Sequence, residues 1–292
     1  MGKLKELLKP AYYWLLDSDL AVPCWYLWDA YLVARFSLYG KPKIDEQDRE
    51  NVRKNLTFIY KSFNRQKFAT RLYRKLCEYY PGANIIIADD SEVPLEIPGA
   101  HIIHLPFNSG LSKGLIAALN EVKTEYVMRL DDDFLPTPKS NVHGQLRFLQ
   151  EHPEVDLAGI QIGMGPKKDA ECFRNIKMNK KLIIPAGTII DGHEVVYKTA
   201  NCYVARTEKI REVGYDPNIR MIDHHEFFYR AAGKIVSVMD PNAYMVTYQN
   251  RFDREYRKFR NDYQGDILYI RQKRALERLK QQEQAARTSD KG

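Results

Sequence analysis

Tyr126-Val127-Met128-Arg129-Leu130-Asp131-Asp132-Asp133 is an apolar run that ends in three consecutive aspartates. A short apolar run of this kind reads as a buried strand. Three adjacent carboxylates at its end repel one another unless a cation or a donor-rich ligand neutralises them. Hard divalent cations such as Mg²⁺ and Mn²⁺ take carboxylate oxygens and usually complete their shell with substrate phosphates. The stretch therefore points to a metal–diphosphate site at the edge of a sheet. The plainer reading is an acidic turn that caps a following helix, and the triplet alone does not choose between them.

The residues upstream supply the context. Leu56 to Tyr60 is a strand candidate, and Arg65 to Tyr80 carries Phe68, Leu72 and Leu76 at the spacing of an amphipathic helix. Pro81-Gly82 ends it. Asn84 to Ala88 and His101 to Leu105 are further strands, and Gly110 to Val122 is a helix with Leu111, Leu115, Ala118, Leu119 and Val122 on one face. Strand, helix, strand, strand, helix, strand implies an α/β fold built on a mostly parallel sheet. Ligands bind such sheets beyond the carboxyl ends of the strands. Polar residues gather at those ends: Asn64-Arg65, Asp89-Asp90-Ser91, Asn108-Ser109 and the aspartate triplet. Four such ends opening on one crevice carry more weight than any acidic turn by itself. Gly110-Leu111-Ser112-Lys113-Gly114 has neither the P-loop spacing nor the dinucleotide fingerprint.

At 292 residues the chain is long enough for one large α/β domain with extensions. Its 45 basic and 38 acidic residues give a net charge of +7, which suits an anionic partner such as a nucleotide-sugar or a lipid headgroup. Cys24, Cys77, Cys172 and Cys202 form no CxxC pair and no zinc spacing, so they read as reduced thiols in a cytosolic setting. The opening MGKLKELLKP carries no apolar core or cleavage site of a signal peptide.

Both ends are unusual. Tyr12, Tyr13, Trp14, Trp25, Tyr26, Trp28, Tyr31, Phe36 and Tyr39 crowd the N-terminal arm, beside Lys3, Lys5 and Lys9. Such an arm either packs on the main domain or lies in a membrane interface, and the sequence supports both. Beyond residue 250 the chain turns basic, with Arg251, Arg254, Arg257, Lys258, Arg271, Lys273 and Arg274, and Tyr256, Phe259, Tyr263, Ile267 and Ile270 recur at helical spacing. That pattern fits a basic amphipathic helix on an anionic membrane, or a solvated helix.

Taken together, IIIADDS, GLSKGL and EYVMRLDDDF resemble the nucleotide-sugar half of a GT-A glycosyltransferase, and the stretch from Asn201 to Lys234 resembles the β-1,4-N-acetylgalactosaminyltransferase family. The resemblance implies a Rossmann-like sheet with helices on both faces, flanked by helical extensions. The expected division is an N-terminal arm over 1–55, a GT-A domain over 56–250 (donor half 56–134, acceptor half 135–250) and a basic extension over 251–292. It also implies a family-2-like enzyme that transfers a hexosyl or N-acetylhexosaminyl group, with inversion, from a nucleotide-sugar such as a UDP-sugar.

Residue by residue, the resemblance puts Asp89 and Asp90 where relatives hold the nucleobase and ribose. Asn64 and Arg65, at the end of the first strand, are expected beside the donor, and the resemblance puts Lys113 near the diphosphate, although Leu115 stands at the usual arginine position. Asp131 and Asp133 match the outer positions of the DxD motif and bind Mn²⁺ or Mg²⁺. Asp133 would be the direct ligand, with Asp131 and Asp132 nearer the donor. Where relatives supply a late histidine to the metal, this chain has Tyr248 or Gln249. The general base is Asp223, His224 or Glu226, in the segment Asp223-His224-His225-Glu226-Phe227-Phe228. A divalent cation suits the departing diphosphate and a base suits the attacking hydroxyl. The plain alternative for that segment is a helix start whose acids complement the dipole.

The expected acceptor is a glycan or lipid-linked glycan, in synthesis of a bacterial surface polysaccharide, on the cytoplasmic side and peripheral on the inner face of the membrane. A sugar nucleotidyltransferase is the alternative within enzymes, but Lys61-Ser62-Phe63-Asn64-Arg65 lacks the glycines its phosphate loop needs. A basic nucleic-acid-binding module is the alternative of another class. The core has no nucleic-acid motif, so no nucleic-acid partner is expected.

Overall fold

The computed structural model describes residues 2–40, 42–163, 178–250, 252–260 and 263–289. Cys172, Arg251 and the side chains of Lys3 and Lys5 lie outside the described residues. Cys24, Cys77 and Cys202 are free thiols.

The first half is a parallel α/β unit. β1 (Leu56–Ser62) pairs with β2 (Asn84–Asp89) on one side and β4 (Tyr126–Asp131) on the other, and β2 pairs with β3 (His101–His104). α4 (Gln66–Tyr79) turns Phe68, Leu72, Leu76 and Tyr79 to one face of the sheet, as their spacing requires. α5 (Leu111–Glu121) turns Leu115, Ala118 and Leu119 to the other. α3 (Glu46–Asn55) leads into β1. Its cap residue Asp45 accepts the Asp48 N–H at 2.7 Å, and its last turn carries Arg53 and Lys54.

The second half widens the sheet. After β5 (Phe134–Leu135) and α6 (Val142–Glu151) come β6 (Leu157–Gly163), β7 (Ile189–Ile190), β8 (His193–Val195) and β9 (Tyr203–Arg206). α7 (Thr207–Val213), α8 (Asp223–Ala231) and β10 (Ser237–Thr247) follow. The order across the sheet is β3-β2-β1-β4-β9-β6-β10-β8-β7, with β5 on β10. β9 runs against both β4 and β6, while β6 and β10 are parallel. The longer strands other than β9 therefore share one direction, and their carboxyl ends share one edge. α3, α4 and α6 cover one face of the sheet, and α5, α7 and α8 cover the other.

The helices at the ends of the chain build onto this core. α1 (Gly2–Asp17) and α2 (Ala21–Ser37) form the arm, with Leu16, Ala21 and Leu32 buried and Trp25, Trp28 and Phe36 packed on the core. Trp28 Nε1 donates to the Gln249 carbonyl at 3.1 Å, and Asp29 pairs with Arg71 at 3.1 Å. The arm is thus docked, while Trp14 and Leu27 on its outer side stay 64% and 72% exposed. No helix among the described residues is long and apolar enough to cross a membrane. At the other end lie α9 (Arg254–Arg260) and α10 (Gln264–Ser289).

Candidate active site

At the carboxyl ends of β1 and β4 opens a cavity of about 290 Å³. The parallel register sets Lys61 on β1 beside Asp131 on β4. Asp131, Asp132 and Asp133 all line the cavity, together with Lys61, Arg65 and Asn108 from the first half of the sheet domain. Asn201, Arg220 and Gln249 line it from the second half, and Tyr256, Lys258 and Phe259 from α9. An acidic triplet thus faces a ring of basic groups, which suits a ligand with both a cation and an anionic diphosphate.

The three aspartates have different partners. Asp132 takes a two-point contact from the Arg65 guanidinium, whose Nε donates to Oδ2 at 3.2 Å. Arg65 also reaches Asp133 at 3.3 Å and lies over the rings of Phe68 and Tyr256, 4.8 and 4.3 Å from their centres. Asp131 is held more loosely, with the Asn201 amide at 3.4 Å and Arg129 at 3.9 Å. Burial, then the neighbouring carboxylates, push Asp131 up to about 7 against the pull of Arg129. One guanidinium, Arg65, thus serves both Asp132 and Asp133, and Asp131 has only the distant Arg129, so the triplet as a whole is short of positive charge. Among the described residues no three acidic, histidine or cysteine side chains group to hold a metal ion. The donor set fits a cation that shares its shell with ligand oxygens, and does not fit a closed protein cage.

The loops after β1 and β2 are locked together. Asn64, at φ 52°, donates its N–H to Ser91 Oγ at 2.7 Å and accepts the Glu92 N–H on Oδ1 at 2.9 Å. Asp89 accepts from Ser91 Oγ at 2.6 Å and from the Leu95 N–H at 2.8 Å. Asp90 pairs with Lys61 at 2.6 Å and accepts the Gly110 N–H at 2.9 Å. Burial pulls the Lys61 ammonium down, and Asp90 opposes that pull. Asp89 and Asp90 are fully buried and shape the loops beneath the cavity, while Lys61 reaches into it. Lys113 is exposed and is not among the lining residues.

The three candidate bases differ more sharply. Glu226 is buried and engaged by Arg230 at 2.6 and 2.8 Å and by Lys273 at 2.8 Å. Those partners outweigh the effect of burial and hold its carboxyl below the usual range. His224 Nε2 lies 2.6 Å from the Thr199 carbonyl, and burial, reinforced by Lys198 and Arg129, keeps the ring neutral. Asp223 lies 2.9 Å from the Arg129 guanidinium. Both side chains are buried, and the contact is a charge pair rather than an aligned hydrogen bond. Asp223 therefore shares its partner with the cavity-lining Asp131. None of the three lines the cavity itself.

Of the two late residues set against a metal, Gln249 lines the cavity. The Tyr248 hydroxyl turns away to the arm and donates to the Asp29 carbonyl at 2.7 Å. The sequence reading missed Arg129, Lys61, Arg220 and the aromatic wall of α9. An arginine inside an otherwise apolar strand is a signal for a buried carboxylate partner, and it could have exposed the first of these.

Such a cavity, at the carboxyl edge of a parallel sheet and lined by an Asp-Asp-Asp turn, marks a GT-A-type glycosyltransferase. The family model of glycosyl transferase family 2 matches residues 57–214, more than half of the chain, and the chain belongs to that family. Mouse beta-1,4 N-acetylgalactosaminyltransferase 1 is 29% identical over 67% of this chain and 39% of its own length. Mouse beta-1,4 N-acetylgalactosaminyltransferase 2 is 30% identical over 70% of this chain and 42% of its own. The chain thus spans about two-fifths of these relatives. A structure of S. aureus TarS 1-349 in complex with UDP-GlcNAc superposes with a TM-score of 0.51 at 15% identity, over 67% of this chain and 59% of that one, a likeness of fold. The family match bears out the reading of the sequence as a GT-A glycosyltransferase and favours it over the nucleotidyltransferase and nucleic-acid readings.

Proposed function

We propose that the chain transfers a hexosyl or N-acetylhexosaminyl group from a UDP-sugar to a glycan or lipid-linked glycan, with inversion and with Mn²⁺ or Mg²⁺. The observation that carries this reading is the meeting of Asp131 and Asp133 with Lys61 and Arg220 in one cavity. Asp131 and Asp133 would hold the cation together with diphosphate oxygens of the donor. When bound, the ion acts as a Lewis acid toward the departing diphosphate. Lys61, Arg220 and Lys258 surround that end of the donor and neutralise the charge it gathers. Asn64, Asp89 and Asp90 fix the loops that carry the nucleoside side, and Arg65 keeps Asp132 from repelling the phosphates. Lys113, at the exposed start of α5, is the remaining donor-side group of this reading.

Asp223 is the base. It takes the proton of the acceptor hydroxyl while the hydroxyl oxygen bonds to the anomeric carbon and the bond to the diphosphate breaks. Glu226 already serves two cations, and His224 has its Nε2 at a carbonyl and burial makes its ring a weak base, whereas Asp223 shares Arg129 with the cavity-lining Asp131 and lies two residues beyond the lining residue Met221. The exposed aromatic side of the arm supports work at the inner face of a membrane, in assembly of a bacterial surface polysaccharide.

Calorimetric titration with UDP-GlcNAc and UDP-GalNAc, with Mn²⁺ and with EDTA, tests the donor half of this reading. Binding that needs the cation and disappears in Asp133→Asn supports it. If neither sugar nucleotide binds under any metal condition, the reading fails.

A further inference from the structure

The turn before α8 has no capping side chain of its own. Ile222, at the cap position, makes no side-chain capping bond, yet Arg220 and Met221 beside it form the cavity wall facing the triplet. The support comes from the C-terminal helix. Asp266, 4% exposed at the start of α10, accepts three successive backbone N–H groups, from Arg220 at 3.1 Å, Met221 at 2.7 Å and Ile222 at 3.1 Å. One turn further on, the Tyr269 hydroxyl donates to Asp216 at 2.9 Å. One turn beyond that, Lys273 bridges Asp216 at 2.6 Å and Glu226 at 2.8 Å. Asp266, Tyr269 and Lys273 lie on one face of the helix, so a single stripe grips the segment from Asp216 to Glu226.

The gripped turn also touches the donor half. The Arg220 carbonyl accepts the Leu111 N–H at 2.8 Å, and Arg220 Nη2 donates to the Asn108 carbonyl at 3.1 Å. Next to Leu111, the Gly110 N–H binds Asp90, which pairs with Lys61. One connected path therefore runs from Asp266 through the 220–222 turn to Lys61 in the cavity.

We propose that Asp266 is a positioning residue for sugar transfer: by holding the Arg220–Ile222 amides it sets the wall opposite the triplet and the start of the helix that carries Asp223. The inference rests on the proposed function, because the wall matters to catalysis only if the donor reacts in this cavity. Misplacing a positioning element by about 1 Å can cost on the order of 100-fold in rate. Asp266 holds only the backbone N–H groups of this turn, whereas the Arg220 side chain keeps its own bond to the Asn108 carbonyl and Lys61, Asp131 and Asp133 sit on or beside β1 and β4, so UDP affinity should change far less than turnover.

The test uses the full chain and the variants Asp266→Asn, which keeps one acceptor oxygen, and Asp266→Ala, which keeps none. Three quantities are measured: UDP affinity with Mn²⁺, turnover of UDP-GlcNAc and UDP-GalNAc, and hydrogen exchange at the Arg220, Met221 and Ile222 amides. Turnover is expected to fall about 10- to 100-fold in Asp266→Ala and less in Asp266→Asn. UDP affinity should stay within about threefold, and exchange at the three amides should rise in the same order as the loss of turnover. Wild-type turnover in both variants would overturn the proposal, and so would UDP affinity falling in step with turnover. If Asp266→Ala does not fold, Asp266→Asn and Tyr269→Phe carry the same comparison. If the wild type binds no UDP, the proposed function fails; unchanged protection of the three amides in Asp266→Asn would then reject the clamp as well, whereas lost protection would retain it.

Discussion

The guanidinium of Arg129 stands 2.9 Å from the carboxylate of Asp223, and both side chains are buried. Arg129 belongs to β4 and Asp223 opens α8, so the pair ties the strand that ends in the triplet to the helix on the second half of the chain. Removing one partner strands the other charge inside the protein, which costs about 3–5 kcal/mol. Arg129→Met and Asp223→Asn should each destabilise the fold on that order, and the double variant should lose clearly less than the sum. Urea unfolding of the four proteins measures this. Losses that add to within about 0.5 kcal/mol would show that the two charges do not interact.

Asp131 gives the site a pH dependence. Its folded-state pKa of about 7 lies above the ordinary aspartate value of 3.8. Between about pH 4 and pH 7 the metal-free folded chain therefore keeps a proton that the unfolded chain has lost. Stability falls as pH rises through that window, and above it the ionised carboxylate is a standing cost. A third of the side chain faces solvent, which limits this cost to the order of 1 kcal/mol. In EDTA, Asp131→Asn should flatten the slope and be the more stable protein at pH 8, while binding UDP-sugar poorly in Mn²⁺. Thermal melts across pH 4–8 decide it, and identical slopes for the two proteins would contradict the assignment.

These two aspartates also mark what the sequence makes legible. The donor half reads correctly because each strand is a short apolar run, each helix has its own amphipathic period, and Pro81-Gly82 or Gly110 separates them. Asp131 is visible at a strand end for the same reason. Arg129 is not, since periodicity reports that a position is buried and says nothing about its partner, and Asp223 lies far along the chain. The C-terminal segment fails in the same way. Its basic, aromatic pattern predicts an amphipathic helix, but Tyr256 and Phe259 line the cavity and Asp266 and Lys273 grip the segment from Asp216 to Glu226. Which surface an amphipathic face meets is set by tertiary packing, which a local pattern does not encode.

Arg65 should not tolerate a conservative change. Its guanidinium meets Asp132 at two points, reaches Asp133 and lies 4.8 and 4.3 Å from the ring centres of Phe68 and Tyr256. A lysine ammonium supplies charge without the planar fork or the stacking face. Arg65→Lys is expected to lose about 1–3 kcal/mol of stability and to weaken UDP binding about tenfold, because Asp132 is freed to repel the diphosphate. Calorimetry with UDP and Mn²⁺ measures the second effect. Wild-type affinity in Arg65→Lys would mean that only the charge of Arg65 matters.

Gly110 is constrained in two ways at once. Its φ of +102° disfavours any side chain, and a Cβ there would sit 3.1 Å from the Arg220 Cα. Its N–H also binds Asp90, so a shift of this residue moves the cavity floor. Gly187, at φ +86°, has open space for 4 Å around the position a Cβ would take, so it carries the backbone constraint without the crowding. Gly187→Ala should therefore cost only about 1 kcal/mol of strain. Gly110→Ala should cost about 2–4 kcal/mol and reduce UDP affinity as well. Melting curves and UDP titrations on both variants separate strain from crowding. Equal losses in the two, with UDP affinity intact, would show that the approach of Arg220 to Gly110 does not shape the site.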